Sequence, residues 1–238
     1  MHYNVGKDLW RKTMKHIVNK RPEVNQELVE KYQKLENVMS ISCVVGDCLE
    51  RDGIMHSSMK MRSVNKPFIG PAFTVKIQTG FLADCLEIFK YVKPGDVVVI
   101  DAFGETETSI WGGLMSGLAR NAGARGVVIW GSARDTDEAR MLGFPIVSKS
   151  VSPREAHSAL TQIFEPIELE SVISCGGIVV KPGDIVVADE IGVSVVPLEQ
   201  AEEVYEKAVK QAENEEGCRK EILKGATVPE LLAKFGRI

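Results

Sequence analysis

Histidine is scarce in this sequence, paired cysteine and any excess of positive charge are missing, and each shortage closes off a class of chemistry. The four histidines are His2, His16, His56 and His157, and no two of them stand at metal-ligand spacing. A histidine-built metal centre and a Ser-His-Asp triad are therefore poorly supported. The five cysteines (Cys43, Cys48, Cys85, Cys175, Cys218) include no C-x-x-C pair, which excludes a zinc ribbon or a thioredoxin-like motif. An odd and scattered set predicts reduced, mostly buried thiols and a cytoplasmic protein. Lys and Arg total 29 against 33 Asp and Glu, a net charge of −4, which argues against a general nucleic-acid binder. No apolar run approaches the ~20 residues of a membrane span. The opening MHYNVGKDLWRKTMKHIVNKR has no apolar stretch or cleavage site of a signal peptide.

What is present is an ordinary globular composition. The 238 residues are 44% hydrophobic and 26% charged, enough for one large domain with a sizeable core. Apolar residues recur at helical spacing in PEVNQELVEKYQKL and SISCVVGDCLERDG. The strand PAFTVKI follows, then a helix-like LADCLEIFKYV, and PGDVVVID, a strand entered through a Pro-Gly turn. GGLMSGLARNAG reads as a helix stopped by Gly123. GVVIWGSARD reads as a buried strand that breaks at Gly131, and FPIVS as another strand. GGIVVKPGDIVVADEIGVSVVP gives three short strands divided by Gly and Pro-Gly turns. From Leu198 the chain is helical, with Glu203–Lys207 and Glu206–Lys210 spaced as i,i+4 pairs on a solvated face. Alternating helices and strands predict an α/β single domain with a mixed sheet and flanking helices. The divisions expected are a helical extension over 1–37, a core over 38–198 and a C-terminal helical segment over 199–238.

The stretch that invites chemistry ends in Arg134-Asp135. If the strands of PGDVVVID and GVVIWGSARD are parallel, their carboxyl ends share one sheet edge with the start of the GGLMSGLARNAG helix, where ligands of open α/β sheets bind. The first-turn N–H groups near Gly113, Leu114 and Met115 offer an anion site, and two consecutive glycines admit a close ligand. Arg134 adds a planar fork suited to a carboxylate or phosphate, and Asp135 an oxygen ligand for a hard cation. A dinucleotide site fails on spacing, because no G-x-G-x-x-G directly follows the strand.

Four blocks in series, Gly70–Val75, Lys93–Gly104, Trp111–Asp135 and Val180–Pro197, resemble the RraA-like proteins. These include the 4-hydroxy-4-methyl-2-oxoglutarate / 4-carboxy-4-hydroxy-2-oxoadipate aldolases. The similarity runs from about Val38 to Leu232. It implies a swivelling β/β/α-type fold, assembled as trimers or paired trimers (hexamers) with sites at subunit interfaces. Arg134 then matches the arginine that binds the pyruvyl group, and Asp135 the aspartate that anchors Mg²⁺ or Mn²⁺ through waters. The amides of Leu114 and Met115 match those that hold the substrate carboxylate, at a helix start that also includes Gly113.

Two departures from the aldolase pattern stand out. The acid that the aldolases carry twenty-one positions before the arginine is here Gly113. Their glutamate from a neighbouring subunit has its counterpart among Glu213, Glu215 and Glu216, of which Glu216 fits best. The resemblance implies a metal-dependent lyase acting on small 2-oxo acids, by aldol cleavage or decarboxylation. The alternative is a regulator of the RNase E inhibitor type, whose function is a surface. Gly113 favours decarboxylation over aldol cleavage, unless Glu105 or Glu107 on the preceding loop supplies the acid. No Gly-rich adenosylmethionine loop supports a methyltransferase.

Overall fold

A computed structural model describes residues 16–49, 52–77, 85–156 and 167–236. The chain opens with the short strand β1 (Ile17–Val18) and the helices α1 (Gln26–Gln33) and α2 (Ile41–Cys48). Strands β2 (Lys60–Met61), β3 (Phe68–Lys76), β4 (Val97–Asp101) and β5 (Ser109–Trp111) follow, then α3 (Gly113–Asn121) and β6 (Gly126–Ala133). Next come α4 (Thr136–Met141), β7 (Ile146–Val151), β8 (Glu168–Leu169), β9 (Ile173–Cys175) and β10 (Ile178–Val180). The chain then forms β11 (Ile185–Ala188), β12 (Val193–Val196), α5 (Ala201–Leu223) and α6 (Val228–Phe235).

Ten of these strands form one mixed sheet in the order β1-β8-β3-β4-β6-β7-β2, with β11 and β12 added beside β3 and β5 beside β6. Its centre, β3-β4-β6-β7, is parallel, and β2, β8 and β11 join it antiparallel. Parallel strands are buried on both faces, which is why VVVI in β4 and GVVI in β6 are unbroken apolar runs. Successive side chains point to opposite faces. Val98, Ile100, Val127 and Ile129 therefore pack with Trp111, Ala119, Ala139 and Phe144 beneath α3 and α4. Val97, Val99 and Val128 face the β9-β10 side with Met55, Met59 and Cys175. A separate apolar cluster joins α1, α2 and α5 to Ile69, Ile185, Val187 and Val196.

Local signals account for the helix ends. The Asn25 side chain accepts the N–H of Glu27 at 3.1 Å and starts α1, whose Tyr32 hydroxyl donates to the Ala201 carbonyl at 2.7 Å and ties it to α5. Thr227 and Glu230 form a capping box at the start of α6. Gly123, at φ +82°, ends α3 as expected. Two readings change. β6 does not break at Gly131 but continues to Ala133, because β5 pairs with its far end through Ser109–Ser132 and Trp111–Ala133. A Cβ at 131 would lie 2.8 Å from that of Ala102, so glycine serves close approach there. Within the helix-like LADCLEIFKYV, Cys85–Lys90 form 3₁₀ turns, and residues 78–84 lie outside the described residues.

Of the expected N-terminal extension, residues 1–15 lie outside the described residues. Its remainder holds β1, parallel to β8, as well as α1. Cys175 and Cys218 are buried, Cys48 is half-buried and Cys43 is exposed, all as free thiols. Among the described residues no helix is long and apolar enough to cross a membrane.

The N-terminal segment is anchored by a buried charge cluster. Arg21 Nη1 lies 2.8 Å from Asp96 Oδ2, and Arg21 Nε 3.6 Å from Glu170 Oε1. Glu170 Oε2 has no hydrogen-bond partner among the described residues. Burial pushes the Glu170 carboxyl up to about 7, against the opposing pull of Arg21. The folded state therefore holds this proton more tightly than the unfolded chain. Glu170 costs nothing near pH 4 and destabilises progressively as pH rises from about 4.5 to 7. At 1.36 kcal/mol per pKa unit the loss is roughly 3 kcal/mol, about 6–12 °C in Tm. Melting curves from pH 4 to 8 should show this fall in the wild type and a shallower one in Glu170→Gln. Parallel curves would remove Glu170 from the account.

Candidate functional site

The end of β6 and the start of α3 are fastened together by the backbone. The Arg134 N–H donates to the Trp111 carbonyl at 2.8 Å, which sets Arg134 beside Gly112. Trp111 is buried and its Nε1–H donates to Ser116 Oγ at 3.0 Å, while the Ser116 hydroxyl donates to the Gly112 carbonyl at 3.0 Å. The first turn of α3 is thus fixed from inside the core.

Asp135 adopts the left-handed region at φ +50° and precedes α4 without capping it. Its side chain turns instead to α3, where the Gly113 N–H donates to Oδ2 at 3.2 Å. A left-handed non-glycine residue costs of order 1 kcal/mol, and such residues cluster at functional sites. Arg134 sits between two carboxylates, with Nε 3.6 Å from Asp135 Oδ2 and Nη2 3.8 Å from Glu155 Oε1. Its side chain is 34% exposed, so the guanidinium fork remains open to a ligand.

Both glycines are explained by what lies on them. A Cβ at Gly112 would come within 2.6 Å of Asp135 Oδ2, and one at Gly113 within 1.9 Å of Glu138 Oε2. The place of a side chain at 113 is filled by a carboxylate from α4.

The structure brings Arg134, Asp135 and the α3 start together, as the sequence expects. Of the three expected amides, Gly113 N–H is already taken by Asp135. The first intrahelical bond is Ser116 N–H to the Gly112 carbonyl, which leaves Leu114 and Met115 N–H for a ligand. Glu105 is committed to its own loop, accepting the N–H groups of Glu107 at 2.6 Å and Thr108 at 3.2 Å. The Glu107 carboxylate accepts from the Thr106 hydroxyl at 3.4 Å. Glu216 does not meet Arg134 within the chain. It pairs with Arg219 and Lys220 on α5, which packs on α1 and α2.

Sequence reading missed Glu138 and Glu155. Glu138 had a signal, since D-T-D-E is an N-cap pattern that opens a helix at residue 136. Glu155 lies on an irregular segment and is placed by the bridge between its backbone and Ser109.

Among the described residues no group of three or more His, Cys, Asp or Glu could hold a metal ion. That excludes a closed zinc site there. Mg²⁺ or Mn²⁺ keeps several waters and needs only one or two carboxylates, and Asp135 is the one here that would hold it. An open cleft of about 690 Å³ between α2 and α5, lined by Asp47, Lys207, Lys210 and Glu213, contains none of this cluster.

The sequence model of the family described as RraA-like, Aldolase/RraA, matches residues 42–195. The chain belongs to the RraA-like family. The matched span holds every residue of the cluster from Gly112 to Glu155 and leaves out α5 with Glu216. A Halalkalibacterium halodurans relative named "Putative 4-hydroxy-4-methyl-2-oxoglutarate aldolase" is 34% identical over 178 residues, 75% of this chain and 82% of that protein. Solved structures share the fold. An uncharacterised protein from Pseudomonas syringae superposes with a TM-score of 0.76 at 23% identity, over 91% of this chain and 98% of that one. Streptomyces coelicolor RraAS2, described as an unusual member of the RNase ES inhibitor RraA family, gives 0.69 at 26% identity, over 84% of this chain and all of that one.

Proposed function

We propose that this RraA-like protein is a divalent-metal-dependent lyase that breaks a carbon–carbon bond in small 2-oxo diacids, releasing pyruvate. The observation that carries this reading is the open fork of Arg134 beside Asp135 and Gly112, at the start of the helix that leaves the amides of Leu114 and Met115 free. The likeness to a protein named as an aldolase supports it.

Arg134 binds the carboxylate of the pyruvyl portion through paired N–H donors, and the α3 amides fix the same group from its other side. Clamped through this carboxylate, the 2-oxo acid presents its breaking bond in one orientation. Asp135, with Gly113 N–H orienting its Oδ2, would hold Mg²⁺ or Mn²⁺ largely through water. The chemistry such a cation would supply is Lewis-acid polarisation of the 2-oxo oxygen and stabilisation of the negative charge that develops as the bond breaks. Glu216 would reach the site from a neighbouring subunit of a trimer or hexamer.

Pyruvate release from a panel of 2-oxo diacids should need added Mg²⁺ or Mn²⁺ and vanish after exhaustive chelation. Full activity in the chelated protein would refute the metal route. Light scattering of the active protein should give three or six times 26.2 kDa, and an active monomer would remove Glu216 from the site. The second reading, a regulator acting through its surface, draws on the likeness to RraAS2. Under that reading RNase inhibition persists in Arg134→Lys, and no 2-oxo acid yields pyruvate.

A further inference from the structure

The Arg134 cluster contains carboxylates, and all but one already have work in the fold. Glu155 faces Arg134, Asp135 accepts the Gly113 N–H, and Glu105 closes its own loop. Glu138 is different. It is exposed, and its carboxylate makes no hydrogen bond or ion pair among the described residues. Yet it is not directed at random into solvent. Its Cγ, Cδ and Oε2 would lie 2.9, 2.3 and 1.9 Å from a Cβ on Gly113, so the side chain lies flat against the first residue of α3. The positive end of that helix favours it there, and the absence of a side chain at 113 makes room for it.

From this geometry we infer that Glu138 is the proton-transfer group of the site. The assignment rests on the lyase reading above. In cleavage of a 4-hydroxy-2-oxo acid the Glu138 carboxylate takes the proton of the 4-hydroxyl. The C3–C4 bond breaks, its electron pair passes into the enolate of pyruvate, and C4 leaves as a carbonyl. Protonated Glu138 then returns the same proton to C3, giving pyruvate and regenerating the carboxylate. Decarboxylation of a 2-oxo diacid has no hydroxyl proton to remove, and its enolate can be protonated by water. Glu138 therefore matters to one reaction far more than to the other, which a purely structural role would not produce.

The test compares wild type, Glu138→Gln, Gly113→Asp and the double variant Gly113→Asp/Glu138→Ala, each with Mg²⁺, on a 4-hydroxy-2-oxo diacid and on oxaloacetate. Loss of a general acid–base typically costs ~10²–10⁴-fold. Glu138→Gln should lose at least about 100-fold in kcat for aldol cleavage but less than tenfold in decarboxylation, with its melting temperature unchanged. Gly113→Asp alone should lower the melting temperature, because its side chain and Glu138 claim one space. The double variant, which moves the carboxylate from α4 to α3, should regain both stability and aldol cleavage. Equal effects of Glu138→Gln on the two reactions, or none on either, would overturn the assignment while leaving the lyase reading intact. A wild type silent in both reactions would overturn the lyase reading and this assignment with it.

Discussion

Arg134→Lys should lower kcat/KM for pyruvate release by about 10²–10³-fold, or roughly 3–4 kcal/mol of transition-state stabilisation. Lysine keeps the charge but offers a point donor where the site presents a planar fork aimed past Gly112. The melting temperature should hardly move. The two ion pairs of Arg134 are long, at 3.6 and 3.8 Å, and partly exposed, and such pairs contribute at most about 1 kcal/mol. Steady-state kinetics with a parallel melting curve separates the two effects. Wild-type kcat/KM in Arg134→Lys would reduce Arg134 to a surface residue. A melting temperature that fell with the activity would mean that the loss came from the fold.

Gly70→Ala should be strongly destabilising for the addition of a single methyl group. Gly70 lies in β3 against the Pro-Gly turn that enters β4, and a Cβ there would meet the Gly95 carbonyl oxygen at 2.2 Å. Neither side can yield cheaply. Gly95 is held at φ +93° with its N–H donated to the Gly123 carbonyl at 2.9 Å. Gly70 is paired opposite Val186 of β11. Relief requires parting β3 from β4 where Ala72 and Val97 begin their register. Overpacking against backbone puts the cost at about 3 kcal/mol or more, or roughly 6–12 °C. Gly192→Ala is the control, since a Cβ at that glycine meets nothing within 4 Å. Equal melting temperatures for the two variants would show that the β3–β4 junction is softer than its geometry.

What the residues determine locally and what packing decides divide along the range of the forces involved. Unbroken apolar runs, Pro-Gly turns and a helix stopped by Gly123 are local, so β4, α3, β6 and the strands from β10 to β12 could be read directly. The adjacency of Arg134 to Asp135 is covalent, and the parallel strands place that pair at the carboxyl edge beside α3. Glycine at 112 and 113 was legible as room for a close ligand, but not that the side chains of Asp135 and Glu138 lie in that room. Tertiary packing decided that Asp135 turns away from its own helix, that Glu138 lies where a side chain at 113 would stand, and that Glu155 flanks Arg134. It also carried β6 past Gly131, because the partner that extends it, β5, lies more than twenty residues earlier in the chain. A single residue's spacing records which face it takes on its own helix or strand. Which side chain from another element fills the space above it depends on how the elements dock, and that is fixed only when the whole core packs.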